Sequence, residues 1–316
     1  MLRSGLFTVD YSLFTGFCFH SLALHSPKLT AKSYPLSAIP YLCRMKLFNR
    51  LMLLSLAACA MACNQQGNSK NDHKKTAGEQ FSPLLKELQQ QVQLHPDSAG
   101  VRLRLATVLD SIGDFKQALR QMDSLIAKDT ANYGLLFTRA QIFEDAGDTT
   151  AAMQAYDHAI KIYPSPDAVL ALANLLAEKK NPQALQLCGQ VQQMRMGREY
   201  DAHCAFIAGV FYARSGKHDE ALKAFDACIA DNYTYMEAYI EKGLVYFDQK
   251  KYDEALKIFV FASKVNNLYA DAYYYQARAF EMMGNKDSAT LRYQQSLSLD
   301  KNLSAAHEGL KRIGAE

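Results

Sequence analysis

Between residues 83 and 313, apolar residues recur at intervals of three and four, which is the spacing of one face of an α-helix. Short segments containing glycine, asparagine, lysine or proline interrupt this pattern at regular intervals, as turns between helices do. The pattern therefore predicts an all-α body made of short, successive helices.

The helical pattern repeats with a period of 34 residues. Residues 113–118 (GDFKQA) align with residues 147–152 (GDTTAA), and the same step separates Ala221, Ala255 and Ala289. Small residues let two helices approach closely, and a large side chain fills the space beside them. The periodic positions are Ala106, Ala140, Gly209, Gly243 and Ala277 on the first helix, Ala118, Ala152, Ala221, Ala255 and Ala289 on the second, and Met122, Tyr156, Phe225, Phe259 and Tyr293 four residues later.

A helix–turn–helix unit of this length and pattern resembles the tetratricopeptide repeat. The resemblance covers residues 83–313 and implies an all-α, right-handed α-solenoid over residues 81–316. It places about six repeats at 99–132, 133–166, 165–195, 202–235, 236–269 and 270–303. A helix over Pro83–Leu94 is expected before them, and a C-terminal cap over 304–316 after them.

The third repeat departs from the pattern. Its turn is Lys180-Asn181-Pro182, and Cys188 occupies the position of the bulky residue. Extra residues separate it from the fourth repeat, and we expect them within 192–201, as an extended helix or a loop.

Residues 45–63 have the layout of a bacterial secretory signal. Lys46 and Arg50 form a basic start, residues 51–62 are apolar, and Cys63 follows. A membrane span needs about 20 apolar residues, so this run is too short to be one. Small residues directly before a cysteine resemble the lipobox of bacterial lipoproteins, in which the thiol carries a diacylglycerol. The resemblance implies a signal peptide over 45–62 and lipidation at Cys63, with Cys59 as an alternative, or else a plain secretory signal cleaved after Ala62.

The segments on either side of this signal suggest where the chain resides. Residues 1–44 show no sustained period, and we interpret them as an extension upstream of the true initiator, Met45; the alternative is a long signal-anchor around residues 5–24. Residues 63–80 are polar and predict a flexible tether. Lipoproteins of the Bacteroidota type that reach the cell surface carry acidic residues just after the cysteine. This tract has none before Asp72, which favours an outer-membrane anchor that faces the periplasm.

The charge of the chain gives no support for nucleic-acid binding. The formal net charge is +3, but six of the 35 basic residues and only one of the 32 acidic residues lie within residues 1–63. The remainder carries 29 basic and 31 acidic residues, a net charge of −2. Such a body lacks the basic patch that nucleic-acid binding requires.

No catalytic or cofactor motif stands out. Residues 209–218 faintly resemble a phosphate-binding loop, but the glycines are too far apart and His218 occupies the place of the serine or threonine. Gly209 and Gly216 are better explained as a packing residue and a turn residue. We therefore expect no enzyme, no cofactor and no small-molecule substrate.

The cysteines after Cys63 are Cys188, Cys204 and Cys228, and none forms a C-x-x-C pair that would favour zinc. Cys204 opens one helix and Cys228 closes its antiparallel partner. A disulfide between them is conceivable in an oxidising compartment, but buried free thiols are favoured.

The family resemblance also implies a concave face, lined by the first helix of each repeat, that binds a peptide or a partner protein. The inward positions are Phe137, Gln141, Glu144, His203, Phe206, Val210, Ile240, Leu244, Phe247, Tyr274 and Arg278. Their central part is apolar and aromatic, and an exposed apolar strip usually marks an interaction site. The alternative is that some of them pack against neighbouring repeats. The Lys and Asn set with which some members clamp a terminal carboxylate is absent.

These inferences predict a non-enzymatic protein-interaction scaffold, lipid-anchored in the bacterial cell envelope. We expect its partner to be a peptide or protein bound in the concave groove. The alternative is an accessory lipoprotein of an outer-membrane nutrient-uptake or secretion system.

Overall fold

The computed structural model describes residues 72–315, and side chains from residue 83 onward. This part of the chain forms fourteen α-helices and contains no strand, which confirms the predicted all-α class. The helices are α1 (Asp72–Leu94), α2 (Ala99–Ser111), α3 (Phe115–Ile126), α4 (Tyr133–Asp145), α5 (Thr149–Ile162), α6 (Pro166–Glu178), α7 (Gln183–Gln193), α8 (Arg198–Arg214), α9 (His218–Asp231), α10 (Met236–Asp248), α11 (Tyr252–Val265), α12 (Ala270–Met282), α13 (Lys286–Leu299) and α14 (Ser304–Ile313).

Several predictions concern residues that lie outside the described part. They are the upstream extension, the signal peptide, the lipidated cysteine and the tether as far as residue 71. Within residues 72–315, none of the helices combines the length and the apolar content needed to cross a bilayer.

The helices pack in the order in which they follow one another along the chain. Each contacts its sequence neighbours, and first helices of successive repeats also meet: α6 with α8, α8 with α10, and α10 with α12. The core is consequently a series of linked clusters between neighbouring helices. Five helices begin at the first residue of a predicted repeat or cap: Ala99, Tyr133, Met236, Ala270 and Ser304.

The turn inside each repeat uses a left-handed residue. Gly113, Gly147, Gly216 and Gly284 have φ between 74° and 81°. The next residue then donates its backbone N–H to the carbonyl of the bulky residue five positions earlier, as from Asp148 to Phe143 at 3.0 Å. Lys180 and Lys250 adopt the same conformation, with φ of 57° and 60°. The turn geometry is thus kept where the sequence lacks glycine.

The small and bulky periodic positions pack as predicted. The five bulky residues on the second helices are fully buried, as are the alanines that precede them. At Gly209 and Gly243 the approach is so close that a Cβ atom would lie 2.5 Å from Phe225 Cε1 and 2.2 Å from Phe259 Cε1. Only glycine fits there without movement of the facing ring.

The first helix extends further than the sequence indicated. It begins at Asp72 and contains Pro83, so residues 72–80 of the predicted tether are helical. This segment contains lysine, alanine, glutamate and glutamine, which are good helix formers. Pro83 removes one backbone donor and disturbs the helix locally without ending it.

The irregular junction lies where it was expected, between α7 and α8. The connection over 194–197 contains Arg195 and Gly197, with φ of 52° and 104°. α8 then begins at Arg198, four residues before the predicted start of the fourth repeat at residue 202, and has 17 residues. The extra residues therefore supply both a loop and an added turn of helix. Arg198 attaches this turn to the end of α9, because its Nη2 donates to the Ala230 carbonyl at 2.7 Å.

Candidate partner-binding face

The predicted groove residues lie on α4, α8, α10 and α12, the first helices of the second, fourth, fifth and sixth repeats. Three of these helices, together with α6, form a row in which each contacts the next. This row presents one continuous face, which we call the first-helix face.

Three of the predicted residues belong to the core of this face. Phe206, Val210 and Ile240 are only 4%, 1% and 7% exposed. The ring of Phe206 stacks on Tyr235 with centroids 5.0 Å apart and lies 6.0 Å from the ring of Phe225. The expectation of an exposed apolar strip is wrong at these three positions, because neighbouring helices and the residue that precedes α10 cover them.

Glu144 also serves the core. Its Oε2 atom accepts a hydrogen bond from Tyr156 Oη at 2.7 Å, and Tyr156 is fully buried. The sixth repeat contains the same pair, since Glu281 Oε2 accepts from Tyr293 Oη at 2.6 Å. A carboxylate at this position therefore satisfies a buried tyrosine hydroxyl.

Glu281 is engaged further by the terminal helix. Arg312 on α14 donates from Nε to Oε1 at 2.6 Å and from Nη2 to Oε2 at 2.9 Å. These hydrogen bonds, together with that from Tyr293, hold the pKa of the Glu281 carboxyl below its ordinary value. The same contact raises the pKa of Arg312. The network links α12, α13 and α14.

Phe137 forms part of an aromatic group in the second repeat. Its ring stacks on Tyr133 at 5.7 Å, and Tyr133 meets Tyr163 edge-on at 5.4 Å. Tyr163 is 59% exposed, whereas Phe137 and Gln141 are partly buried. Burial raises the pKa of the Tyr133 hydroxyl. This group offers aromatic surface in the N-terminal half of the array.

A partly exposed combination of apolar and charged groups lies across the fifth and sixth repeats. We call Phe247, Tyr274 and Arg278 the aromatic–arginine cluster. The Arg278 guanidinium lies 5.6 Å from the Phe247 ring centroid, and its Nη1 donates to Tyr274 Oη at 3.1 Å. All three side chains are partly exposed, as is Leu244 one turn before Phe247. The cluster presents apolar rings beside a cation.

Sequence reasoning missed the tyrosines that precede or open the first helices. Tyr235 covers Phe206 and meets His203 edge-on at 6.0 Å, which leaves His203 only partly exposed. The signal was present, because Tyr235 and Tyr269 are separated by the 34-residue period. Asp167 on α6 was also missed; Tyr200 Oη donates to its Oδ1 at 3.3 Å, and burial raises the pKa of the carboxyl.

The cysteines in the described chain are free, buried thiols. Cys204 Sγ donates to the carbonyl oxygen of Cys188 at 3.5 Å, so the contact of Cys204 is with α7, not the Cys228 pairing considered from the sequence. Among residues 72–315 there is no group of three or more His, Cys, Asp or Glu side chains arranged to hold a metal ion.

Comparison with known proteins agrees with this geometry. Residues 103–166, 209–260 and 241–300 match the family model described as Tetratricopeptide repeat. The chain is a tetratricopeptide repeat protein. A TPR repeat-containing protein of Rhizobium etli is 25% identical over 92 residues, which make up 29% of this chain and 45% of that protein. The chain therefore matches less than half the length of this curated relative.

Solved structures show the same fold. A tetratricopeptide repeat protein from Parabacteroides merdae has a TM-score of 0.63 at 18% identity and covers 76% of this chain and 98% of its own. PilW, described as a type IV pilus biogenesis factor, has a TM-score of 0.54 at 16% identity. The match covers 68% of this chain and 99% of the PilW chain. At these identities the likeness shows the fold alone. Tetratricopeptide repeat proteins bind peptide or protein partners, and the fold is in general a non-catalytic interaction scaffold.

Proposed function

We propose that this tetratricopeptide repeat protein is a non-catalytic scaffold of the bacterial cell envelope, anchored by an N-terminal lipid in the outer membrane and facing the periplasm. It binds a peptide or protein partner on its first-helix face. The observation that carries the binding role is the partly exposed aromatic–arginine cluster, with Leu244 beside it.

The composition of this cluster suits a binding surface. Aromatic residues and arginine dominate the energetics of protein interfaces, and they do so where side chains already hold one another in place. Arg278 is positioned by Phe247, by Tyr274 and, at 4.0 Å, by Glu281. The matching partner presents an apolar side chain to Leu244 and Phe247 and a hydrogen-bond acceptor to Arg278.

The proposed binding residues are fewer than the sequence indicated. The residues of the first-helix face that keep accessible surface are His203, Leu244, Phe247, Tyr274 and Arg278, and Phe137 and Gln141 keep it on α4. Phe206, Val210 and Ile240 support this surface from beneath, and Glu144 is bonded to Tyr156.

The binding role is tested by crosslinking the full chain in its native cell and quantifying the captured partners by mass spectrometry. Leu244→Ala with Phe247→Ala removes the apolar part of the cluster. We expect captured partner to fall at least about tenfold, because two lost interface anchors of more than about 1 kcal/mol each exceed together the roughly 1.4 kcal/mol that corresponds to a tenfold change. The matched control is Phe261→Ala with Leu291→Ala, which removes exposed apolar side chains from the second helices α11 and α13.

The control variant should capture partners at the wild-type level, and circular dichroism should show that both variants remain helical. Wild-type capture by the Leu244→Ala, Phe247→Ala variant would place binding elsewhere. Equal loss in both variants would show that the effect is not specific to the first-helix face.

The anchor is tested separately by labelling cells with radioactive palmitate and fractionating them. We expect label in the wild-type protein and none in the Cys59→Ser, Cys63→Ser double variant, which should leave the membrane fraction. The two single variants identify the lipidated cysteine, and Cys228→Ser serves as the control that keeps its label. A double variant that remains with membranes would refute the lipid anchor while leaving the binding role untouched.

A further inference from the structure

Two buried cysteines meet at the irregular junction between the third and fourth repeats. Cys188 belongs to α7 and Cys204 to α8, and their side chains are 4% and 1% exposed. Cys204 Sγ lies 3.5 Å from the backbone carbonyl oxygen of Cys188, to which it donates a hydrogen bond.

Cysteine replaces a different residue type at each of these positions. The place of Cys188 in the second helix is otherwise filled by Met122, Tyr156, Phe225, Phe259 and Tyr293. The place of Cys204, the third residue of the repeat, is filled by Val101, Leu135, Ala238 and Ala272 in the first, second, fifth and sixth repeats. Only at the junction next to the extra residues do both positions carry sulfur.

We propose that Cys188 and Cys204 are a disulfide-forming pair that joins α7 to α8. Because Cys204 Sγ already lies 3.5 Å from the backbone of Cys188, side-chain rotation can bring the two sulfurs to the bond length of about 2.05 Å, provided that the helices lie side by side. These two helices do so. Formation of the bond in the cell rests on the proposed envelope location, whereas formation in the purified protein does not.

The reaction is ordinary thiol–disulfide exchange with a small-molecule or protein disulfide as oxidant. One cysteine thiolate attacks the oxidant disulfide and releases one thiol, forming a mixed disulfide. The second thiolate attacks the protein sulfur of that mixed disulfide and releases the second thiol. The two cysteines lose two protons and two electrons, and the oxidant disulfide is reduced to two thiols. Because both cysteines are buried, the oxidant gains access through local opening of the packed helices.

The bond would close a loop that contains the whole irregular connection. Joining residues 188 and 204 restricts the unfolded chain over this segment and thereby stabilises the folded junction. The extra turn of α8 and the loop before it would then be fixed to α7. The disulfide would therefore link the third repeat covalently to the fourth, and so connect the first three repeats to the last three.

The test is peptide mapping of the full chain, purified in reduced form and equilibrated with glutathione disulfide. Free thiols are blocked with iodoacetamide before digestion with trypsin. Each cysteine lies in its own tryptic peptide, at residues 181–195, 199–214 and 224–242. We expect peptide 181–195 to be linked to peptide 199–214, the link to disappear on reduction, and Cys228 to be alkylated.

Two variants make the result specific. Cys228→Ser should keep the link, and Cys188→Ser should leave Cys204 alkylated. Oxidation should raise the Tm of the wild type by roughly 5–10 °C and leave that of Cys188→Ala unchanged. Because the mapping uses the wild-type chain, it stands even if a variant fails to fold.

Alkylation of both Cys188 and Cys204, or a link from Cys204 to Cys228, would overturn the proposal. The same mapping on protein alkylated directly in the cell separates the two claims. A link in the purified chain that is missing from the cell supports the pair and counts against the envelope location.

Discussion

At the scale of single residues, the repeats use two versions of one packing arrangement. In the second and sixth repeats, alanine faces a tyrosine whose hydroxyl donates to a glutamate four residues after that alanine, as in the set Ala140, Tyr156 and Glu144. In the fourth and fifth repeats, a glycine faces a phenylalanine. The phenylalanine ring lies so close that a Cβ atom added to the glycine would overlap with it. The position that holds glutamate in the second and sixth repeats is Ala213 in the fourth repeat and Phe247 in the fifth. Phenylalanine has no hydroxyl group, so no hydrogen-bond acceptor is needed there.

This close approach favours glycine over alanine at position 243. Gly243→Ala gains helix propensity of about 1 kcal/mol, but its Cβ would lie 2.2 Å from the fully buried Phe259 ring. Overpacking of this kind costs about 1–3 kcal/mol, so after subtraction of the propensity gain we expect a net loss of up to about 2 kcal/mol in the free energy of unfolding. Urea denaturation followed by circular dichroism measures it.

Gly189→Ala is the matched control, because Gly189 also lies inside a helix but has open space where its Cβ would be. It should be stabilising by about 0.5–1 kcal/mol. Equal shifts in the two variants would show that the contact with Phe259 does not decide the residue at 243.

At the scale of elements, the end of the array is closed by charge as well as by apolar packing. Arg312 on α14 reaches Glu281 on α12, and Tyr293 on α13 donates to the same carboxylate. Terminal helices of repeat proteins have only one neighbouring repeat, so they depend on such additional contacts. The contact also explains why Glu281 is not free to meet a partner.

The Glu281 network makes the terminal helix sensitive to acid. Because the pKa of Glu281 is lowered in the folded chain, its stabilisation is complete above its ordinary pKa of 4.5 and is lost as the pH falls through the lower folded value. Between about pH 6 and pH 3 the wild type should lose about 1 kcal/mol more stability than Glu281→Gln, a modest value because Arg312 is partly exposed to solvent. Hydrogen exchange of α14 amides against pH measures this.

Arg312→Gln removes the donor and should flatten the pH dependence in the same way. If both variants follow the wild-type curve, the carboxylate does not hold the cap.

At the scale of the whole molecule, the sequence was informative wherever the environment of a residue is decided nearby. The 34-residue period placed the buried tyrosines, phenylalanines and turn glycines, because each repeat packs with its immediate neighbours. The exposure of Phe206 and Ile240 was misjudged, because it depends on how closely adjacent first helices approach. The contact of Cys188 with Cys204 was missed for a related reason: it arises only at the junction whose loop length and helix start could not be placed from the period.

The packing of α1–α14, in which helices contact mainly those of the same or the adjacent repeat, also determines how the array would respond to mechanical tension. A force applied to the two ends of the array is therefore carried through every repeat in series. The least supported end should detach first, and each 34-residue repeat that peels away would release about 120 Å of extended chain. Under load, such an array would lengthen in discrete steps, one repeat at a time.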